Sequence, residues 1–97
     1  MVEIKRNNGC ITVKGHAGYA PHGQDVVCAA VSTLVQAFCL SVDKLTPDEI
    51  KADFNPGHAV IEYGNLSDSG KLLVDSFFVG INMIAENYPD YVRVIDP

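Results

Sequence analysis

The order of apolar patterns along the chain predicts an α+β fold with elements ββαββαβ, an antiparallel or mixed sheet and two helices packed on one of its faces. Three observations carry this. Residues 2–6 and 10–16 alternate apolar and polar around a tight-turn signal, and residues 49–54 and 58–63 do the same. Each of these hairpins leads into a stretch whose apolar residues recur at helical spacing. A last short run, Tyr91-Val92-Arg93-Val94-Ile95, reads as a fifth strand.

In the first hairpin Val2, Ile4, Ile11 and Val13 alternate with Glu3, Lys5, Thr12 and Lys14, and Asn7-Asn8-Gly9 tolerates the positive φ of a tight turn. His16 then falls at the C-terminal end of the second strand. Residues 17–23 form a loop punctuated by Gly18, Pro21 and Gly23. From about Gln24 to Val42 the apolar residues Val26, Val27, Ala30, Val31, Leu34, Val35, Phe38 and Val42 recur three and four apart, so a helix is predicted despite its valines. Residues 22–24 are candidate caps, Asp25 belongs to the first turn, and Cys28 lies within or just after it. Thr46-Pro47 marks a connection. Ile50, Ala52 and Phe54 alternate with Lys51 and Asp53, and Val60-Ile61-Glu62-Tyr63 resumes an extended pattern after Asn55-Pro56-Gly57. Leu73, Phe77, Ile81, Ile84 and Tyr88 form a helical stripe through 68–87, preceded by cap candidates in Asn65-Leu66-Ser67-Asp68-Ser69 and stopped by Pro89. No repeat or linker interrupts this order, so 1–97 reads as one domain.

The 97 residues have room for one core. A net charge of −5 speaks against nucleic-acid binding through a basic patch and suits a basic partner. Cys10, Cys28 and Cys39 are odd in number and lack CxxC spacing, which reads as free thiols in a reducing compartment and not as a disulfide scaffold or zinc knuckle. No signal-peptide pattern is read at the N-terminus, and no apolar run is read as long enough to cross a bilayer. A cytoplasmic location without membrane contact is expected.

The chemistry concentrates in residues 15–32, where three glycines, a proline, two histidines and a cysteine lie between the strand pattern and the helix pattern. In thiol hydrolysis the nucleophile is the thiolate, and both a helix N-terminus and a neighbouring imidazolium favour that anion. Unpaired N–H groups at the helix start also suit the oxyanion of an acyl-transfer intermediate. The residues alone leave alternatives open. Cys28 also reads as a small apolar residue packed in an apolar helix, which would make the chain a non-catalytic binding module. His16 and His22 are rival bases. Together with Cys28 they also form a candidate metal set, though no fourth ligand has convincing spacing. Ser32 lies one turn beyond Cys28 on the same helix face.

The run Gly15-His16-Ala17, a loop, and then Gly23-Gln24-Asp25-Val26-Val27-Cys28-Ala29-Ala30-Val31-Ser32 resembles the ribosomal-processing cysteine proteases. These are small bacterial endopeptidases that trim an N-terminal extension from a large-subunit ribosomal protein. The resemblance implies that His16 and Cys28, twelve positions apart, are the catalytic pair. It implies that Asp25 is associated with the site, orienting the imidazole or holding the loop, and that Ser32 is either a site donor or a packing residue. It further implies a substrate extension ending in an aromatic-rich stretch, a homodimer, and neither a metal nor an organic cofactor. The alternative it leaves is a ribosome-associated binding module with a structural cysteine. Tyr19 and His22, in the loop beside the site, are the expected substrate contacts. The glycine-bracketed loop 17–23 is expected to be mobile and to close over a bound peptide, with Tyr19 touching it. Cys10 and Cys39 are expected to be structural, and His58 a solvated surface residue.

Overall fold

The computed structural model describes residues 1–21 and 23–96 of the chain. Strands β1 (Val2–Asn7) and β2 (Cys10–Lys14) form the first hairpin, closed by Gly9 at φ 75°. Helix α1 (Val26–Leu45) follows, then β3 (Ile50–Asn55), β4 (His58–Tyr63), helix α2 (Asp68–Asn87) and β5 (Val92–Ile95). The order is the predicted one. In space the strands run β3-β4-β2-β1-β5; β1 and β5 are parallel and every other pair is antiparallel, so the sheet is mixed.

The register explains which face carries the helices. Ile4 stands opposite Val13 and Val94, and Ile11 opposite Ile61, so apolar side chains from four strands share one face. Glu3, Lys5, Thr12 and Lys14 alternate onto the other face. Helix α1 buries Val27, Val31, Val35, Phe38 and Val42, a stripe at spacings of four and three, against this apolar face and against α2. Helix α2 meets it with Val74, Phe77, Phe78, Ile81 and Ile84; Phe38 and Phe77 pack with ring centroids 5.4 Å apart. Five valines on one helix are poor helix formers, and the burial of four of them outweighs a propensity penalty of a few tenths of a kcal/mol each, since a buried valine gains roughly 1.5–3 kcal/mol.

Several boundaries differ from the predicted ones, each for a local reason. Strand β2 stops at Lys14 because Gly15, at φ 94°, leaves the ladder and donates its N–H to Gly57 O at 2.8 Å. His16 therefore sits in the bend after the strand, not at its end. Helix α1 begins at Val26 because Asp25 is its N-cap, in extended backbone, and not a residue of the first turn. It runs on to Leu45, where Thr46 turns back its N–H and hydroxyl onto Val42 O. Strand β5 begins one residue late because Tyr91 N–H bonds Tyr88 O in a turn.

Among the described residues, α1 is the one helix long and apolar enough by length and composition to cross a membrane, which corrects the expectation that no such run exists. Its serines, threonine, glutamine and small residues interrupt an apolar run without making the segment polar. In the fold, its buried stripe packs on the sheet and on α2.

The helices do not cover the sheet evenly. Strand β3 is an edge, and Phe54, on the same face as Ile50 and Ala52, remains 52% exposed. Between α1 and the β3–β4 hairpin the chain leaves a cleft.

Candidate active site

The cleft encloses about 530 Å³ and is walled by three segments. From α1 come Cys28, Ala29, Ser32 and Gln36; from the segment after β2, His16, Gly18 and Ala20; from the β3–β4 hairpin, Phe54 to Ala59. Its apolar floor includes Val13, Val31 and Val35.

Cys28 is the third residue of α1, and its surroundings follow from the cap. One oxygen of Asp25, Oδ1, accepts the N–H groups of Val27 at 3.0 Å and Cys28 at 2.9 Å. The other, Oδ2, accepts those of Tyr19 at 3.0 Å and Ala20 at 3.4 Å. A single carboxylate thus ties the loop to the start of the helix. The N–H of Cys28, followed by those of Tyr19 and Ala20, holds the Asp25 carboxyl below the usual carboxylate range. With the loop held this way, Ala17 N–H donates to Cys28 Sγ at 3.2 Å, and the Ala17 side chain is buried.

This geometry corrects one expectation. The helix N-terminal amides were to hold an oxyanion, but those of Val27 and Cys28 are taken by Asp25 Oδ1, and that of Ala29 donates to Asp25 O at 3.1 Å. The main-chain donor that faces the sulfur comes instead from Ala17 in the loop.

His16 is exposed and reaches the cleft from the bend after β2. Its ring lies against the β3–β4 turn, so close that a Cβ on Gly57 would stand 2.8 Å from Nε2. His16 and Cys28 share the cleft, and no hydrogen bond joins them among the described residues.

The other residues singled out from the sequence divide. Asp25 and Ser32 line the cleft with the pair. Tyr19 does not. Its ring packs edge-on against Tyr88 and Tyr91, with centroids 5.7 and 5.2 Å away, which draws it toward the α2–β5 connection instead of over the cleft. His22 lies outside the described residues, and with it the candidate metal set that needed it. Cys28 is half-buried and opens on the cleft, whereas burial pushes the Cys39 thiol up, as suits an inert packed cysteine. Phe54, Gly57 and Gln36 were not foreseen as site residues, and His58, read as surface, lines the cleft while remaining exposed. The only available signal was Phe54, an aromatic alternating with Asp53 and Asn55 on a strand.

A helix-borne cysteine and a loop-borne histidine on one cleft of a small α+β domain make the architecture of a thiol peptidase. Comparison with known proteins agrees over almost the whole chain. The family described as "Cysteine protease Prp" matches residues 1–93. The ribosomal processing cysteine protease Prp of Bacillus subtilis is 32% identical over 87 residues, covering 82% of this chain and 78% of that protein. Its counterpart in Staphylococcus aureus is 28% identical over 87 residues, covering 87% and 82%. The crystal structure of a Staphylococcus aureus ribosomal processing protease Prp, in complex with a covalently linked product peptide, superimposes with a TM-score of 0.89 at 23% identity, over 99% of this chain and 97% of that one. The chain belongs to the cysteine protease Prp family, and it is a cysteine endopeptidase.

Proposed function

We propose that this endopeptidase removes an N-terminal extension from a large-subunit ribosomal protein during ribosome maturation, with Cys28 as nucleophile and His16 as general base. His16 takes the thiol proton, and the Cys28 sulfur adds to the carbon of the scissile carbonyl. The tetrahedral intermediate collapses by breaking the C–N bond, and the leaving amine takes the proton from His16. Water then adds to the thioester with His16 as base, which releases the carboxylic acid and returns the proton to sulfur. Ala17 N–H, which donates to Sγ before reaction, is placed to follow the negative charge to the adjoining carbonyl oxygen.

The observation that carries this reading is the one cleft shared by His16 and Cys28, with a loop amide aimed at the sulfur. The names of the Bacillus subtilis and Staphylococcus aureus relatives support the substrate class. In this reading the chain works in the cytoplasm as a homodimer, without nucleic acid or membrane, and the exposed Leu40, Leu72, Val79 and Met83 on the two helices offer apolar surface to a second copy.

The test is incubation with synthetic peptides from the N-termini of the host's own large-subunit ribosomal proteins, read by mass. One peptide is expected to be cut at a single bond. Cys28→Ala should abolish the cut, His16→Ala should slow it by about 10² to 10⁴-fold, and His22→Ala should cost much less. Comparable turnover by Cys28→Ala, or a larger loss at His22 than at His16, would overturn the assignment. Light scattering on the purified protein tests the dimer.

A further inference from the structure

We propose that Gly57, in the β3–β4 turn, is a positioning residue that sets the His16 imidazole for reaction with Cys28. The proposal rests on His16 being the base.

Two contacts join the turn to the histidine segment. Gly57 O accepts the N–H of Gly15 at 2.8 Å, which fixes the backbone immediately before His16. The α-carbon of Gly57 then faces the ring itself: a Cβ built there would lie 2.8 Å from Nε2, 3.3 Å from Cε1 and 3.4 Å from Cδ2. His16 follows the end of β2 and is exposed, so neither strand pairing nor core packing restrains its ring. The surface that limits it is the bare α-carbon of a residue 41 positions later (57 − 16).

The positive φ of 69° at Gly57 explains a preference for glycine but not a need for it, because asparagine also adopts that region in turns. What a larger residue displaces is the ring. A carbon at ordinary van der Waals separation, about 3.6 Å from Nε2, requires the imidazole to retreat by most of an ångström. Misplacement of a catalytic group by about 1 Å can cost about 10²-fold in rate.

The fold supplies its own control. Gly9 closes the β1–β2 turn at φ 75°, and a Cβ there would meet Tyr63 O at 2.9 Å. The positive φ is similar to that at Gly57, but the atom in the way at Gly9 is a backbone oxygen and not a side chain. Gly9 lies at the far end of β4, beside Tyr63, while Gly57 adjoins His58. It does not line the cleft.

The experiment compares Gly57→Ala, Gly57→Asn and Gly9→Ala for folding by circular dichroism and thermal melting, and for kcat and KM on a cleaved peptide. Gly57→Asn satisfies the turn's φ while carrying the same Cβ, so it reports on the ring even where the alanine variant folds poorly. The expected result is a melting loss for Gly9→Ala at least as large as that for Gly57→Ala, since the backbone oxygen at Gly9 yields less readily than the His16 ring. Both Gly57 variants should lose about 10²-fold in kcat with little change in KM, while Gly9→Ala keeps its kcat. In a His16→Ala background, Gly57→Ala should have no further effect on kcat, because it acts through the ring. A folded Gly57→Asn whose kcat lies within twofold of Gly9→Ala overturns the proposal, as does a full additional loss in the His16→Ala background. If His16→Ala is itself as active as the unaltered chain, the assignment of the base fails first, and the two failures are distinguishable.

Discussion

Replacing Phe54 with alanine tests whether the uncovered edge of the sheet holds substrate. The side chain lies on the helix-bearing face of β3, opposite Ala59; the residue lines the cleft and is 52% exposed. A phenylalanine presents roughly 200 Å² in all, so about 100 Å² remains for a peptide to cover. At about 25 cal/mol per Å² that contact contributes up to about 2.5 kcal/mol, or roughly seventyfold in kcat/KM. Coverage is rarely complete, and the expected loss in Phe54→Ala is about ten- to seventyfold on a peptide with bulky apolar residues at the cut. The already buried half sets the cost to folding at no more than a similar 2.5 kcal/mol, less than the roughly 3–5 kcal/mol of a fully buried phenylalanine. Two controls separate binding from damage. Alkylation of Cys28 by iodoacetamide needs no cleft contact and should keep its rate. Leu45→Ala, at the exposed C-terminal end of α1 and outside the cleft, should leave kcat/KM unchanged. An unaltered kcat/KM in Phe54→Ala, or an equal fall in the alkylation rate, would refute the reasoning.

The remaining predictions concern the cysteines, the cap and the loop. Cys39→Ala and Cys10→Ala should keep peptide cleavage where the protein folds, and Cys28 should be the thiol that iodoacetamide modifies first; preferential labelling of Cys39, whose thiol burial pushes up, would contradict the site. Asp25 carries a carboxyl depressed by the Cys28 N–H first and then by the loop amides, so its contribution to stability is complete above the ordinary carboxylate value of about 3.9 and is lost as pH falls through its lower native value. An asparagine has one acceptor oxygen and cannot serve both the helix pair and the loop pair; Asp25→Asn should remove part of the acid transition seen by circular dichroism, and an identical titration would count against the double role. Tyr19 packs edge-on against Tyr88 and Tyr91, contacts worth about 0.5–1.5 kcal/mol each in aromatic pairs, so Tyr19→Ala should speed hydrogen exchange at the Tyr19 and Ala20 amides; unchanged exchange would leave Asp25 as the only tether.

The sequence by itself determined the order of elements, the extent of α2 and the catalytic pair to be tested. Helix and strand periods are local properties: Val27, Val31, Val35, Phe38 and Val42 declare an apolar stripe without reference to what they meet. His16 and Cys28 were singled out by the resemblance of residues 15–32 to a known family, since the residues alone left His22 as a rival base. Asp25 was misplaced by one role, because an acid at a helix start suits both the cap and the first turn until the backbone is seen to be extended there. What only the tertiary structure decided depends on which apolar face meets which. Strand order, with β4 beside β2, brings Gly57 onto His16 and leaves Phe54 uncovered beside α1. The same packing brings Tyr88 and Tyr91 within reach of Tyr19 and takes that ring off the cleft. Periodicity reports that a surface must be buried, but the partner is chosen by the fit of whole elements, and residues forty or seventy positions apart carry no local mark of the contact they will make.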